Sequence, residues 1–126
     1  MPTLPWTAPH TPEHGAEVHV FASRFETRTL GGALKFFLRT PGVWRQVSRA
    51  PGTYGATLKA QPLRRTFWTL SAWESPEALK TFARSGPHAP TARGLAPLMR
   101  DAKFVTWTVR GDELPLDWSE AMRRLT

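Results

Sequence analysis

The chain has 126 residues, of which 40% are hydrophobic, 21% are charged and none is cysteine. This length and apolar content fit one compact globular domain, and they exclude two full domains or wholesale disorder. The lack of cysteine excludes disulfides, thiolate metal sites, iron–sulfur clusters and a cysteine nucleophile.

The formal net charge is +7, most basic residues are arginine, and neither isoleucine nor asparagine occurs. Such a bias is typical of a GC-rich coding sequence. We therefore interpret the arginines as scattered, and we do not take the charge as evidence for a nucleic-acid partner. The chain starts without the basic and apolar regions of a signal peptide, and no apolar run reaches the roughly 18 residues of a membrane span. We therefore expect a soluble cytoplasmic protein.

Residues 1–16 are predicted to form an extended arm, because they contain four prolines, which a regular helix does not tolerate. Residues 17–126 are expected to form a single domain. Within it, residues 17–25 are rich in β-branched and aromatic side chains and predict a first strand.

A helix is predicted to follow from Leu30, because apolar residues recur at helical spacing and mark one face: Leu34, Phe37 and Leu38. Thr40 and Pro41 resemble an N-cap and a first-turn proline, so a second helical piece is expected to restart there. Its inward residues would be Val43, Trp44 and Val47.

Residues 53–61 and 65–73 predict two strands joined in a hairpin around Pro62. Ser75, Pro76 and Glu77 then give an N-cap, a first-position proline and a favourable charge at the start of a helix. The buried face of this helix would carry Leu79, Phe82 and Ala83.

After Gly86-Pro87 the chain is expected to be irregular or kinked, because further breakers follow at Pro90, Gly94 and Pro97. Residues 103–110 predict the last strand. Residues 117–120 have the pattern of a capping box, which predicts a short C-terminal helix with one apolar side: Trp118, Met122 and Leu125.

The element order is that of an α+β, ferredoxin-like βαββαβ protomer with an added C-terminal helix. Alternation along the strands makes both sheet faces apolar, and two helices can cover only one of them. The second face would then be covered by another copy of the sheet, by a small ligand or by stacked nucleotide bases.

The segment Phe67-Trp-Thr-Leu-Ser-Ala-Trp-Glu-Ser-Pro-Glu-Ala-Leu-Lys-Thr-Phe82, followed by Gly86-Pro-His88, resembles the strand-to-helix segment of the antibiotic-biosynthesis-monooxygenase-like superfamily. The resemblance is strongest to its spheroidene monooxygenase-like branch, and in element order it extends over about residues 17–110. It implies a dimeric α+β barrel: a homodimer whose sheets pack face to face, with an apolar pocket between the sheet and helices of each protomer.

Members of this superfamily include monooxygenases that act on aromatic polyketides without a cofactor and haem-dependent monooxygenases or dehydratases. The resemblance therefore implies either no cofactor or haem. His88 follows a helix stop, where an imidazole can bind haem iron or act as an acid or base, and we predict that it is catalytic. The three breakers after it depart from the continuous helix usual in the family.

His19 is predicted as a second catalytic candidate, because alternation places it beside Phe21 on the first strand. The same sheet face combines apolar and polar side chains, as binding cavities do. The predicted pocket-lining residues on that face are Phe21, Ser23, Phe67, Thr69, Ser71, Trp73 and Thr106.

Two other kinds of site are not supported by the sequence. Ser71 lacks the Gly-x-Ser-x-Gly elbow of a hydrolase nucleophile. His10 and His14 have a spacing that would suit a metal on a helix, but the surrounding prolines prevent that helix. No metal site is therefore predicted.

The sequence favours a protein with a small-molecule pocket and monooxygenase-like chemistry, acting on or binding an apolar aromatic or isoprenoid-like compound. A non-catalytic ligand-binding or regulatory dimer is an alternative that the sequence does not separate from an enzyme. An RNA-recognition-motif-like module has the same element order, and Arg64 and Arg65 precede the aromatic third strand. That strand lacks the glycine through which RNA approaches.

Overall fold

The computed structural model describes residues 15–47, 49–84, 88–114 and 116–125. The predicted N-terminal arm lies outside these ranges except for residues 15 and 16. The strands and helices, with three short 3-10 turns, are β1 (Glu17–Thr27), α1 (Leu30–Val47), β2 (Thr53–Gln61), the turn Pro62–Arg64, β3 (Thr66–Trp73), α2 (Pro76–Arg84), α3 (His88–Leu95), the turn Ala96–Leu98, β4 (Met99–Arg110), the turn Gly111–Glu113 and α4 (Trp118–Leu125).

The four strands form one antiparallel sheet in the order β2-β3-β1-β4. This is the predicted ferredoxin-like arrangement, with β1 and β3 in the centre and the β2-β3 hairpin at one side. The strand pairing is regular along nearly all of β1, so alternate residues of neighbouring strands share a face.

Both faces of the sheet are packed, but by different helices. On one face, Val18, Val20 and Leu70 are fully buried in a cluster with Ala121 and Leu125 of α4. The other face packs against α1, α2 and α3. We call these the α4 face and the helix face. The expectation that a monomer has helices on one face alone is therefore wrong, because the C-terminal helix folds back over the second.

Helix α1 is continuous through Pro41, whereas the sequence predicted a restart at Thr40. The Thr40 hydroxyl donates to the carbonyl of Phe36, one turn back, instead of capping a new helix. Pro41 is exposed and has no N–H for the carbonyl of Phe37. Because both residues lie at the surface, water can bind that carbonyl, so the proline does not stop the helix.

The orientation of α1 also differs from the simplest interpretation of its apolar pattern. Ala33 and Phe36 are buried against the sheet, and Phe36 stacks on Phe67 of β3 with ring centroids 4.2 Å apart. The apolar positions that marked the predicted helix face are instead 50% to 68% exposed: Leu30, Leu34, Phe37 and Leu38. Val43, Trp44 and Val47 contact the core as predicted.

The later helices begin as the sequence predicts. The Ser75 hydroxyl accepts the N–H of Ala78 at 3.1 Å and caps α2. The segment expected to be irregular contains an eight-residue helix, α3, with Pro90 in its first turn, where the missing N–H costs no helical hydrogen bond. No described helix is long and apolar enough to cross a membrane.

At α4, Asp117 accepts the N–H of Ser119 at 2.7 Å, so the predicted cap is present. Glu120 does not complete a capping box; its carboxylate accepts hydrogen bonds from Arg123 and Arg124. The helix is therefore fixed by an Asp cap and by ion pairs at i+3 and i+4.

Adjacent phenylalanines on α1 provide a matched test of its orientation. Phe36→Ala should lower the free energy of unfolding by about 3 kcal/mol, because it removes a buried ring stacked on Phe67. Phe37→Ala should lower it by less than about 1 kcal/mol, because half of that side chain is already exposed. Urea denaturation of both variants measures the difference, and equal losses would contradict the orientation.

Acidification should weaken α4. The N–H of Ser119 lowers the pKa of Asp117, and hydrogen bonds from Arg123 and Arg124 lower the pKa of Glu120. Because these pKa values are lower in the folded chain, the carboxylates stabilise the fold above about pH 4, and this contribution is lost as the pH falls further.

The test compares Tm by circular dichroism for the wild type and an Asp117→Asn, Glu120→Gln double variant. Between about pH 6 and about pH 2 the wild type should lose more Tm than the variant, whose two amides do not titrate. A parallel decline of both proteins would contradict this role of the two carboxylates.

Candidate functional site

The strand pairing places every predicted site residue of the sheet on the helix face. His19 pairs with Trp73 and Thr108, Phe21 with Ser71 and Thr106, and Ser23 with Thr69 and Phe104, in successive rows along the strands. A last row joins Phe25 to Phe67. The helix-face residues of β1, β3 and β4 are His19, Phe21, Ser23, Phe25, Phe67, Thr69, Ser71, Trp73, Phe104, Thr106 and Thr108.

The helices cover only part of this face. α1 and α2 pack on β2 and β3, where Phe67 and Trp73 are fully buried. On β4, by contrast, Phe104 is 54% exposed, and Thr106 is also exposed. We call the helix face of β1 and β4 the open half, since it lies between packed core and solvent.

Five phenylalanine rings connect the open half to the core. Phe104 lies 5.7 Å from Phe21 and 5.6 Å from Phe25, measured between ring centroids. Phe25 contacts Phe36 of α1, which stacks on the buried Phe67. This phenylalanine series is an apolar, aromatic surface that continues from solvent into the interior. Phe25, Phe36 and Phe104 were not among the predicted site residues, although alternation along β4 places Phe104 beside Thr106.

The buried hydroxyls of this face are largely satisfied by neighbours in the sheet. Ser23 and Thr69 hydrogen-bond to each other across β1 and β3. The indole N–H of Trp73 donates to the Ser71 hydroxyl at 2.8 Å. These contacts orient the side chains and avoid unpaired polar groups in the core. Four of the predicted pocket residues therefore have structural roles: Ser23, Thr69, Ser71 and Trp73. A ligand on this face would lie beside these side chains.

His19 is half-buried in the row next to Phe21. Within the described part of the chain no hydrogen bond to its imidazole is found. His19 is thus a titratable side chain on the sheet, and it lies beside Phe21 of the phenylalanine series.

His88 lies at the N-terminus of α3 and is held by its surroundings. Its backbone N–H donates to Oε1 of Gln46 at 2.7 Å, and its Nδ1 is 3.0 Å from the carbonyl oxygen of Ala83. Since a carbonyl can only accept, Nδ1 carries a proton, and in the neutral form of the ring the lone pair is on Nε2. Gln46 also donates to the carbonyl of Phe82, so this side chain joins α1 to α2 and α3.

The two histidines lie toward the same end of the sheet. The His88 ring is 4.9 Å from the Phe82 ring, which is 5.1 Å from Trp73, the cross-strand neighbour of His19. The role of Gln46 was missed by sequence reasoning, because nothing local distinguishes an amide that bonds to residues 36 and 42 positions away.

Haem does not fit the described surroundings of His88. Nε2 has the lone pair that an axial ligand needs. However, the aromatic ring beside His88 is that of Phe82, which is buried and packs on Trp73, so it presents no free face to a macrocycle. No group of three or more His, Asp or Glu side chains suited to a metal ion occurs among the described residues, and His10 and His14 lie outside them.

A separate groove of about 780 Å³ opens between the C-terminal half of α1 and the start of α2. Arg45 and Arg49 line one wall, and Glu74 and Glu77 line the other. None of the site residues predicted from the sequence lines this groove. Its charges of both signs distinguish it from the aromatic open half.

Comparison with solved structures identifies the fold. The cofactor-independent oxygenase SnoaB from Streptomyces nogalater is similar with a TM-score of 0.63 and 20% identity, over 80% of this chain and 100% of that one. The chain has the same ferredoxin-like α+β fold as this oxygenase. A candidate antibiotic biosynthesis monooxygenase from Nitrosomonas europaea gives a TM-score of 0.67 at 14% identity, over 86% and 99% of the two chains.

Rv0793 from Mycobacterium tuberculosis has the same fold, with a TM-score of 0.62 and 16% identity over 82% of this chain and 99% of that one. No protein-family model and no curated protein sequence matches the chain. In this chain α4 packs on the second sheet face. That face is therefore not a free platform for the nucleotide bases of the RNA-binding alternative.

Ser71→Ala should lower the free energy of unfolding by about 1–3 kcal/mol, because it leaves the buried indole N–H of Trp73 without its acceptor. Thr106→Ala, on the same face but exposed, should change it by less than about 0.5 kcal/mol. Urea denaturation followed by tryptophan fluorescence measures both changes. Wild-type stability of the Ser71 variant would show that the indole finds another acceptor.

Proposed function

We propose that the chain binds a small aromatic or isoprenoid-like molecule on the open half of the helix face and oxygenates it without a cofactor. The phenylalanine series carries this proposal, because its accessible rings, Phe104, Phe21 and Phe25, offer a flat apolar ligand a surface that adjoins the core. SnoaB, which has the same fold and is a cofactor-independent oxygenase, supports this chemistry.

The substrate itself would supply the electrons. A CH₂ group activated by a neighbouring phenol or carbonyl loses a proton to a base, and the resulting carbanion transfers electrons to O₂. One oxygen atom stays on carbon as a carbonyl and the other leaves as water, so CH₂ and O₂ become C=O and H₂O. The protein contributes a dry surface, a fixed substrate orientation and the base.

His19 is the better-placed base, because it lies on the sheet in the row next to Phe21. His88 is the second candidate, because its bond to the Ala83 carbonyl leaves the lone pair on Nε2. Thr106 neighbours Phe21 and is exposed, so its hydroxyl is available to hydrogen-bond a polar group of the ligand.

We further propose that two protomers pair through their α4 faces. Val105, Trp107 and Val109 of β4 are only half-buried beside α4, and they form an apolar strip along an edge strand. Pairing would bury this strip, and the two α4 helices would lie at its margin. Light scattering should give twice the chain mass, and a monomer would exclude this pairing.

The proposed function is tested with a hydroxylated anthrone as the probe. Tryptophan fluorescence measures its binding, and oxygen uptake measures its turnover. Phe104→Ala should weaken binding about tenfold, because it removes the exposed ring between Phe21 and Phe25. His19→Ala should lower kcat at least tenfold with little change in binding. Phe37→Ala, on the outer side of α1, is the control and should leave both unchanged.

The results separate the alternatives of enzyme and binding protein. Binding that depends on Phe104, with no oxygen uptake, would identify a ligand-binding dimer. Turnover that depends on His88 and not on His19 would exchange the roles of the two histidines. A Soret band in the purified protein would contradict the cofactor-free chemistry.

A further inference from the structure

The acidic residues of this protein are segregated along the chain. Residues 27–73 contain eight Arg or Lys residues and no Asp or Glu, whereas the rest of the chain has nine basic and ten acidic residues. The basic residues are spread along the whole chain, but within residues 27–73 no acidic residue balances them. Every ion pair found in the described part of the chain lies outside residues 27–73.

Residues 27–73 also expose apolar side chains on the outer side of α1. Their spacing at i, i+4, i+7 and i+8 aligns them along one face of the helix. We call this face the outer stripe; it consists of Leu30, Leu34, Phe37 and Leu38, each at least 50% exposed. Leu63, in the turn that packs beside α1, is 89% exposed. A contiguous group of this kind marks an interaction surface more often than a solvated one.

Basic residues surround the outer stripe. Lys35 and Arg39 are exposed on the adjoining side of α1, and Arg28 precedes the helix. Arg45 continues the stripe one turn beyond Pro41, and Arg64 follows Leu63. No carboxylate occurs in the sequence between Glu26 and Glu74, and no ion pair is found for these basic residues in the described part of the chain, although Arg45 also lines the groove that Glu74 and Glu77 border.

We propose that the outer side of α1 binds an anionic lipid bilayer surface, with the outer stripe at the level of the acyl chains and the basic residues at the headgroups. A helix with an apolar stripe and a basic border lies in this way in the plane of a membrane. Each Lys or Arg near the surface adds attraction to anionic lipid. The binding is peripheral and does not depend on the activity proposed above.

Other occupants match the surface less well. A second copy would bring two unneutralised basic surfaces together, and their repulsion opposes pairing. A nucleic acid would match the charge, but exposed leucines offer nothing to phosphates or bases. An anionic bilayer is complementary to both the leucines and the arginines.

The proposal is tested by co-sedimentation of the full chain with vesicles of phosphatidylcholine alone or with one third phosphatidylglycerol. The wild type should bind the mixed vesicles, should not bind pure phosphatidylcholine, and should be released by high salt. A wild type that fails to bind the mixed vesicles, or binds both kinds equally, would overturn the proposal.

Two double variants separate the apolar and charged contributions. Leu34→Ser with Leu38→Ser should abolish most binding while leaving the fold intact, because both side chains are largely exposed. Lys35→Gln with Arg39→Gln should weaken binding about tenfold. The matched control, Arg110→Gln with Arg123→Gln, removes the same charge outside residues 27–73 and should bind within about twofold of the wild type.

The remaining outcomes would each overturn the proposal in a defined way. Equal loss in the control and the Lys35/Arg39 variant would show a response to net charge alone. If the wild type does not bind vesicles and the Leu34/Leu38 variant has half the wild-type mass in light scattering, the outer stripe is the contact with a second copy of the chain. Tight binding of a labelled oligonucleotide that survives the leucine substitutions, again without vesicle binding, would assign the basic surface to nucleic acid.

Discussion

The stacking of Phe36 on Phe67 determines where the helix layer lies on the sheet. It fixes α1 above β3, with Phe25 of β1 in contact at the margin, and leaves Phe104 and Thr106 of β4 exposed. It also fixes the rotation of α1, so that the residues opposite Phe36 point outward. The open half with its phenylalanine series and the outer stripe of α1 are both consequences of this one aromatic contact, and they lie on different sides of the same helix.

The strands could be predicted well from the sequence, because alternation and turn residues are local signals. The bounds of β2 agree with the prediction, and β1 and β4 are longer by a few residues at one end. Alternation also grouped the residues of the helix face correctly, since a regular antiparallel register preserves the face of each residue. Which face the helices would cover depends on packing between distant elements, and no local pattern contains that information.

Helix α1 shows why its rotation could not be predicted. Apolar residues occupy two sides of it, so the stripe with the clearest spacing was not the buried one. The choice depends on which side chains complement the sheet, and Phe36 fits the space above Phe67. The bonds of Gln46 to Phe82 and His88 were likewise beyond sequence reasoning, because they join residues that only the fold brings together.

Pro41 gives α1 a mechanical property. With the bond between residues 37 and 41 missing, the helix resists bending least at this point. The N-terminal half contacts Phe25 and Phe67, while the C-terminal half is anchored through Gln46 to the start of α3. A bend at Pro41 would therefore change the angle between two separately anchored halves of α1, the first of which contacts Phe25 at the margin of the open half.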